Sequence, residues 1–157
     1  MKALLLVIGK TDDNYLNEGI TKYSGRITRY MPFELEVVPD IKNNKNLSEN
    51  QQKEKEGELL LKKILPGDFV VLLDEKGKHQ SSVEFANWLN TIFVMSYKRI
   101  VFIIGGPYGF SKNVYEKSNA KISLSKMTFS HQMVRLIFTE QFYRAHTILK
   151  GEPYHHI

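Results

Sequence analysis

Five short apolar runs, separated by helix signals, constrain this chain more than any other feature. Runs of this length suit buried strands, and the segments between them carry helix starts and stops. The runs are Lys2–Ile8, Glu34–Val38, Asp68–Leu73, Arg99–Ile104 and Lys121–Leu124. A helix is expected from Asp13 to about Tyr30, ending before Met31-Pro32 because the residue preceding proline avoids helical geometry. Ser48-Glu-Asn-Gln51 and Ser81-Ser-Val-Glu84 both match the capping-box pattern, opening helices to about Leu65 and Ser96. Ser111 is placed to cap a short helix, and Gln132 to about Leu149 forms a last long one. Its apolar stripe comprises Val134, Ile137, Phe138, Phe142, Ala145, Ile148 and Leu149. Strand and helix in regular alternation predict an α/β fold, a parallel sheet with helices on both faces. In such sheets, ligands bind outside the carboxyl ends of the strands.

The length of 157 residues suits one domain, 1–157, with a core that needs no disulfide or metal. The polar stretch Ile41–Leu47 reads as a mobile loop, too short to divide the chain. With no cysteine, thiolate catalysis and Cys-based zinc sites are excluded, which is compatible with a reducing cytosol. The five histidines lack metal-ligand spacing with acidic partners, so no metal is expected. The short apolar start after Met1-Lys2 lacks a signal-peptide pattern, and no run approaches the ~18 apolar residues of a membrane span. A soluble, unprocessed, cytoplasmic chain is expected, with no membrane partner.

The net charge of +5 is distributed unevenly. Residues 1–78 hold 13 basic and 13 acidic side chains, whereas 79–157 hold 9 against 4 and carry 13 of the 18 aromatics. Basic groups interleaved with aromatics suit RNA, whose bases stack, although solubility charge over an aromatic core produces the same composition.

The fourth run breaks into Gly105-Gly106-Pro107-Tyr108-Gly109, which cannot continue a strand and lets main-chain groups approach a small ligand. Two familiar ligands fit poorly. No G-x-G-x-x-G follows the first strand, and no G-x-x-x-x-G-K-[ST] occurs, although an anion at the Gly109–Ser111 helix start remains possible. A tight structural turn is the remaining alternative.

Ile104-Gly-Gly-Pro-Tyr-Gly-Phe-Ser111, Leu124-Ser-Lys-Met-Thr-Phe129, His131-Gln-Met-Val-Arg135, Glu140-Gln-Phe-Tyr-Arg144 and Gly151-Glu-Pro-Tyr-His155 follow one another at set spacing. Together with the opening strand and Lys53-Glu-Lys-Glu-Gly57, they make the chain resemble, end to end, the ribosomal RNA large-subunit methyltransferase H family of the SPOUT class. The resemblance implies a C-terminal trefoil knot, S-adenosylmethionine as methyl donor, and a site completed in a homodimer. It implies transfer of a methyl group to N3 of a pseudouridine in helix 69 of 23S rRNA, on the assembled ribosome. The family's cofactor positions fall on Leu73, Gly105, Leu124, Ser125, Lys126, Met127, Thr128 and Phe129.

Catalytic candidates lie in the last helix and the tail. His131 and Arg135 sit one turn apart at the helix start, where a phosphate or developing anion would be favoured. The alternative is a partly buried histidine beside an exposed arginine. Glu140 and Arg144 have the spacing of a helical ion pair, which rivals a catalytic role. The family's Tyr-His pair falls on Tyr154 and His155; the histidine is a candidate base and the tyrosine a candidate partner for a uridine-like ring. His156-Ile157 follows where the family often has Lys or Arg, which weakens a phosphate contact there. Two other function classes stay open at this stage: a non-catalytic RNA- or ribosome-binding module, and a nucleotide- or phosphate-binding enzyme using Gly105–Ser111.

Overall fold

The computed structural model describes residues 1–42 and 44–156. Its elements run β1 (Lys2–Ile8), α1 (Asn14–Ile27), β2 (Phe33–Val38), α2 (Glu49–Leu61), β3 (Asp68–His79), α3 (Ser82–Phe93), β4 (Arg99–Ile104), α4 (Lys112–Lys117), β5 (Ala120–Ser123) and α5 (Met133–Leu149). All five strands are parallel, in the order β2-β1-β4-β3-β5.

The alternation of side chains along each strand explains why both faces must be covered. In β1, Ala3, Leu5 and Val7 face a core shared with Ile27 of α1, Phe85 and Leu89 of α3, and Phe138 and Phe142 of α5. Leu4, Leu6 and Ile8 face the other way, onto Leu60 of α2 and Val114 of α4. The α/β reading therefore holds, helices on both faces included.

Both capping boxes are present: Ser48 accepts from the Gln51 amide and Ser81 from the Glu84 amide, each with the reciprocal side-chain bond. Helices α1, α2 and α3 end earlier than their periodicity implies, at Ile27, Leu61 and Phe93. Of the expected loop 41–47, Asn44–Asn46 forms a 3-10 turn while Asn43 lies outside the described residues, as does Ile157 at the tail.

The main departure is β3. It was expected to stop at Leu73 but continues to His79, because Leu73 and Lys78 both pair with Ile122 of β5. The residues between them, Asp74 to Gly77, bulge out of the ladder. Bulges re-aim side chains beside sites, and this one stands at the carboxyl end of the sheet.

Candidate active site

β4 and β5 end beside the bulge of β3: Leu73, the last residue before the bulge, pairs with Ile104 and with Ile122. Beyond them, the bulge after Leu73, the loop after Ile104 and the loop after Ser123 enclose a cavity of about 730 Å³. That volume is in the range of small-molecule sites. Leu73, Gly105, Leu124, Ser125, Met127, Thr128 and Phe129 all line it, so seven of the eight cofactor candidates converge there. Lys126 is exposed and is not part of the lining. Tyr108 and Met127 stand at the wall with 43% and 77% of their surface exposed.

Gly105 and Gly106, two of the three glycines of the β4 loop, are backed from inside, whereas Gly109 is not. A Cβ on Gly105 would meet the Phe110 ring at 3.0 Å, and one on Gly106 would fall 2.6 Å from a Glu56 carboxylate oxygen. Without side chains, Gly105 and Gly106 let the main chain pass close to both groups. The loop after β5 is shaped by its own hydroxyls: Ser123 Oγ donates to the Ser125 carbonyl at 2.9 Å, and the Met127 amide donates to Ser125 Oγ at 2.9 Å. At the start of α4 the capping hydroxyl is already engaged. Phe110 and Ser111 are buried, and Ser111 Oγ already accepts the Val114 amide.

Sequence reasoning missed the charged rim. Asp74, Glu75 and Lys76 of the bulge and Glu49 and Lys53 of α2 line the mouth. Tyr115 donates to Asp74, and burial followed by that bond pushes the phenol well above its ordinary range. The signal was available in Asp74-Glu-Lys-Gly77, a polar insert inside an otherwise apolar run, but it reads equally as a turn.

Arg135 requires a correction. The arginine is not exposed: its side chain is fully buried, and its guanidinium donates to the carbonyls of Ile8 (2.7 Å) and Gly9 (2.8 Å) and to Thr11 Oγ1 (3.1 Å). Burial lowers its pKa, opposed by Asp12 and Asp40. Gln132 reinforces the same junction, donating to the Lys10 carbonyl at 3.2 Å and accepting from the Asp12 amide at 2.9 Å. These bonds staple the start of α5 to the end of β1, and thus fix where the loop 124–131 must finish. His131, on that loop, is exposed and lines the cavity.

The other four catalytic candidates form one cluster. Arg144 donates twice to Glu140 Oε1, at 2.6 and 3.0 Å, so the helical ion pair exists. It also holds the tail: Tyr154 Oη donates to the same Glu140 oxygen at 3.0 Å, and Arg144 Nη1 lies 3.1 Å from His155 Nδ1. A guanidinium only donates, so Nδ1 accepts and neutral His155 carries its proton on Nε2. Burial and hydrogen bonds to Tyr23 and Glu140 push the Tyr154 phenol upward, and its ring packs edge-on against Tyr143 at 4.7 Å. Tyr30 Oη donates to Glu152 at 2.7 Å and closes the tail turn. None of these four residues lines the cavity. Val134 does, and Arg144 lies ten positions further along α5, roughly 15 Å by helical rise.

Comparison with known proteins bears on the family and the fold. Residues 1–155 match the family model described as predicted SPOUT methyltransferase. The chain is 64% identical to a protein of Parabacteroides distasonis, 59% to one of Flavobacterium psychrophilum and 58% to one of Christiangramia forsetii, each over 99% of both chains. All three are named ribosomal RNA large subunit methyltransferase H. Among solved structures, a probable methyltransferase from Bordetella pertussis Tohama I matches with a TM-score of 0.53 at 10% identity, covering 92% of this chain and 95% of that one. A probable methylase family protein from Haemophilus influenzae matches with a TM-score of 0.52 at 12% identity, covering 99% and 70%. At such low identity, these two likenesses speak for the fold alone. The chain belongs to the ribosomal RNA large subunit methyltransferase H family of SPOUT methyltransferases.

Proposed function

We propose that this chain is a cytoplasmic, S-adenosylmethionine-dependent methyltransferase acting on N3 of a pseudouridine in helix 69 of 23S rRNA, on the assembled ribosome. The observation that carries the reading is the convergence of Leu73, Gly105 and five residues of the 124–129 loop on one cavity, where β4 and β5 end beside the bulge of β3. Its size, its glycines backed by Phe110 and Glu56, and its exposed main chain fit an adenosyl ligand read mostly by backbone. When bound, S-adenosylmethionine supplies an electrophilic methyl group.

The nucleophile is an imide nitrogen that bears a proton at neutral pH, so the protein must take that proton or stabilise the anion left behind. The negative charge of an imide anion spreads onto its carbonyl oxygens. Arg144 and the Nε2–H of His155 are suited to face such oxygens, while Glu140 fixes the geometry of both Arg144 and Tyr154. His131 at the cavity wall is the nearer candidate for accepting the proton. Holding ring and donor in line supplies much of the remaining rate.

Within one protomer, the tail cluster and the cavity lie apart along α5. A homodimer, in which the tail of one protomer faces the cavity of the other, unites them in this reading. The knot and the organisation as one domain, 1–157, belong to the same proposal.

A thermal-shift panel tests the ligand class. S-adenosylmethionine and S-adenosylhomocysteine should raise the unfolding midpoint, whereas ATP and GTP should not. Stabilisation by nucleotides alone would contradict the reading.

A further inference from the structure

Two charged side chains, Arg135 and Glu56, are buried among the described residues, and their surroundings differ. Arg135 spends its donors on carbonyls and a hydroxyl. Glu56, with 3% of its surface exposed, has one hydrogen bond, from Gln52 Nε2 to Oε2 at 3.3 Å, and its Oε1 has none. No described salt bridge involves it. A buried acceptor without a partner costs stability, so a position that needed only filling would favour Leu or Met.

The carboxyl is pressed against a residue of the cavity wall. A Cβ added to Gly106 would fall 2.6 and 2.7 Å from the two oxygens, so Glu56 occupies the space a side chain there would take. Glu56 itself does not line the cavity; it meets the loop from the interior. Its neighbour Gly57 brings α2 equally close to Ser111, at the other end of the same loop.

We propose that Glu56 is a positioning residue for the cofactor loop: its buried carboxyl supports Gly106 from behind and sets the Gly105–Gly106 main chain that S-adenosylmethionine contacts. This inference rests on the reading of the cavity as the S-adenosylmethionine site. Burial raises the carboxyl above its ordinary range; the Gln52 bond opposes the shift and the charge of Asp40 adds to it. A glutamine side chain keeps the shape of the carboxyl and an acceptor oxygen beside Gly106, whereas methionine keeps only the bulk.

Calorimetry with S-adenosylmethionine on the full chain, wild type against Glu56→Gln and Glu56→Met, tests the inference. Glu56→Gln should bind within about threefold of wild type, and Glu56→Met about tenfold or more weakly. The cofactor-free unfolding midpoint of Glu56→Met should be unchanged or higher, because a polar burial penalty is removed. On ribosomes, its KM for S-adenosylmethionine should rise while kcat at saturation stays within about twofold. Wild-type affinity in Glu56→Met would overturn the proposal, as would a loss of affinity matched by a fall in the midpoint. The outcomes separate from those of the underlying reading: a wild-type chain that binds no S-adenosylmethionine overturns the cavity assignment itself, before any variant is made.

Discussion

Arg135 of α5 donates to the main-chain carbonyl of Ile8, at the end of β1, across 2.7 Å in a fully buried setting. With Gly9 and Thr11 as further acceptors, the guanidinium does structural work at the junction on which the cavity loop depends. Arg135→Met should therefore destabilise the protein by about 3 kcal/mol, since it leaves buried carbonyls unpaired. Urea unfolding measures this. Unchanged stability with selective loss of ribosome methylation would instead make Arg135 an RNA contact.

Gly105→Val places a branched side chain where a Cβ already meets the Phe110 ring at 3.0 Å. The Phe110 ring or the loop must give way, both of which line the cavity, and S-adenosylmethionine binding by calorimetry should fall at least about a hundredfold, or about 2.7 kcal/mol. Retained affinity would remove this loop from the site.

The tail cluster should separate catalysis from cofactor binding. Glu140→Ala frees both Arg144 and Tyr154, neither of which lines the cavity. Methylation of ribosomes should drop about a hundredfold or more, as for the loss of other charge-stabilising groups. S-adenosylmethionine affinity should stay within about twofold, or about 0.4 kcal/mol. Equal losses of both would place the cluster in the cofactor site.

His146 makes a pH prediction. Its ring is stacked between Tyr30 and Phe93, its Nε2 has no hydrogen-bond partner, and burial, then Lys150, lowers its pKa from 6.5 to about 4. The folded state therefore resists protonation. This contribution to stability is complete above pH 6.5 and is lost as the pH falls toward 4, by at most about 3 kcal/mol. His146→Phe should lessen the acid-side decline in urea unfolding between those pH values. An unaltered decline would mean that other groups set it.

What was legible in the sequence was local. Ser48 with Gln51 and Ser81 with Glu84 announce helix starts because both partners lie within four residues. The five strands were legible because continuous apolar runs suit strands covered on both faces. Arg135 was misread because its acceptors, Ile8 and Gly9, lie more than a hundred positions away. Glu56 was hidden in Lys53-Glu-Lys-Glu-Gly57, which has the look of a solvated helix face. Only the approach of Gly106 shows that one of its glutamates is buried. The bulge after Leu73 escaped notice because the pairing of Lys78 with Ile122 depends on β5, more than forty residues on.

The most direct test of the proposed reaction is mass mapping of 23S rRNA from a strain lacking this protein. The proposal predicts loss of one methyl group from one pseudouridine in helix 69, restored when the purified protein and S-adenosylmethionine are added to the ribosomes. A helix 69 whose modification is unaltered would contradict it.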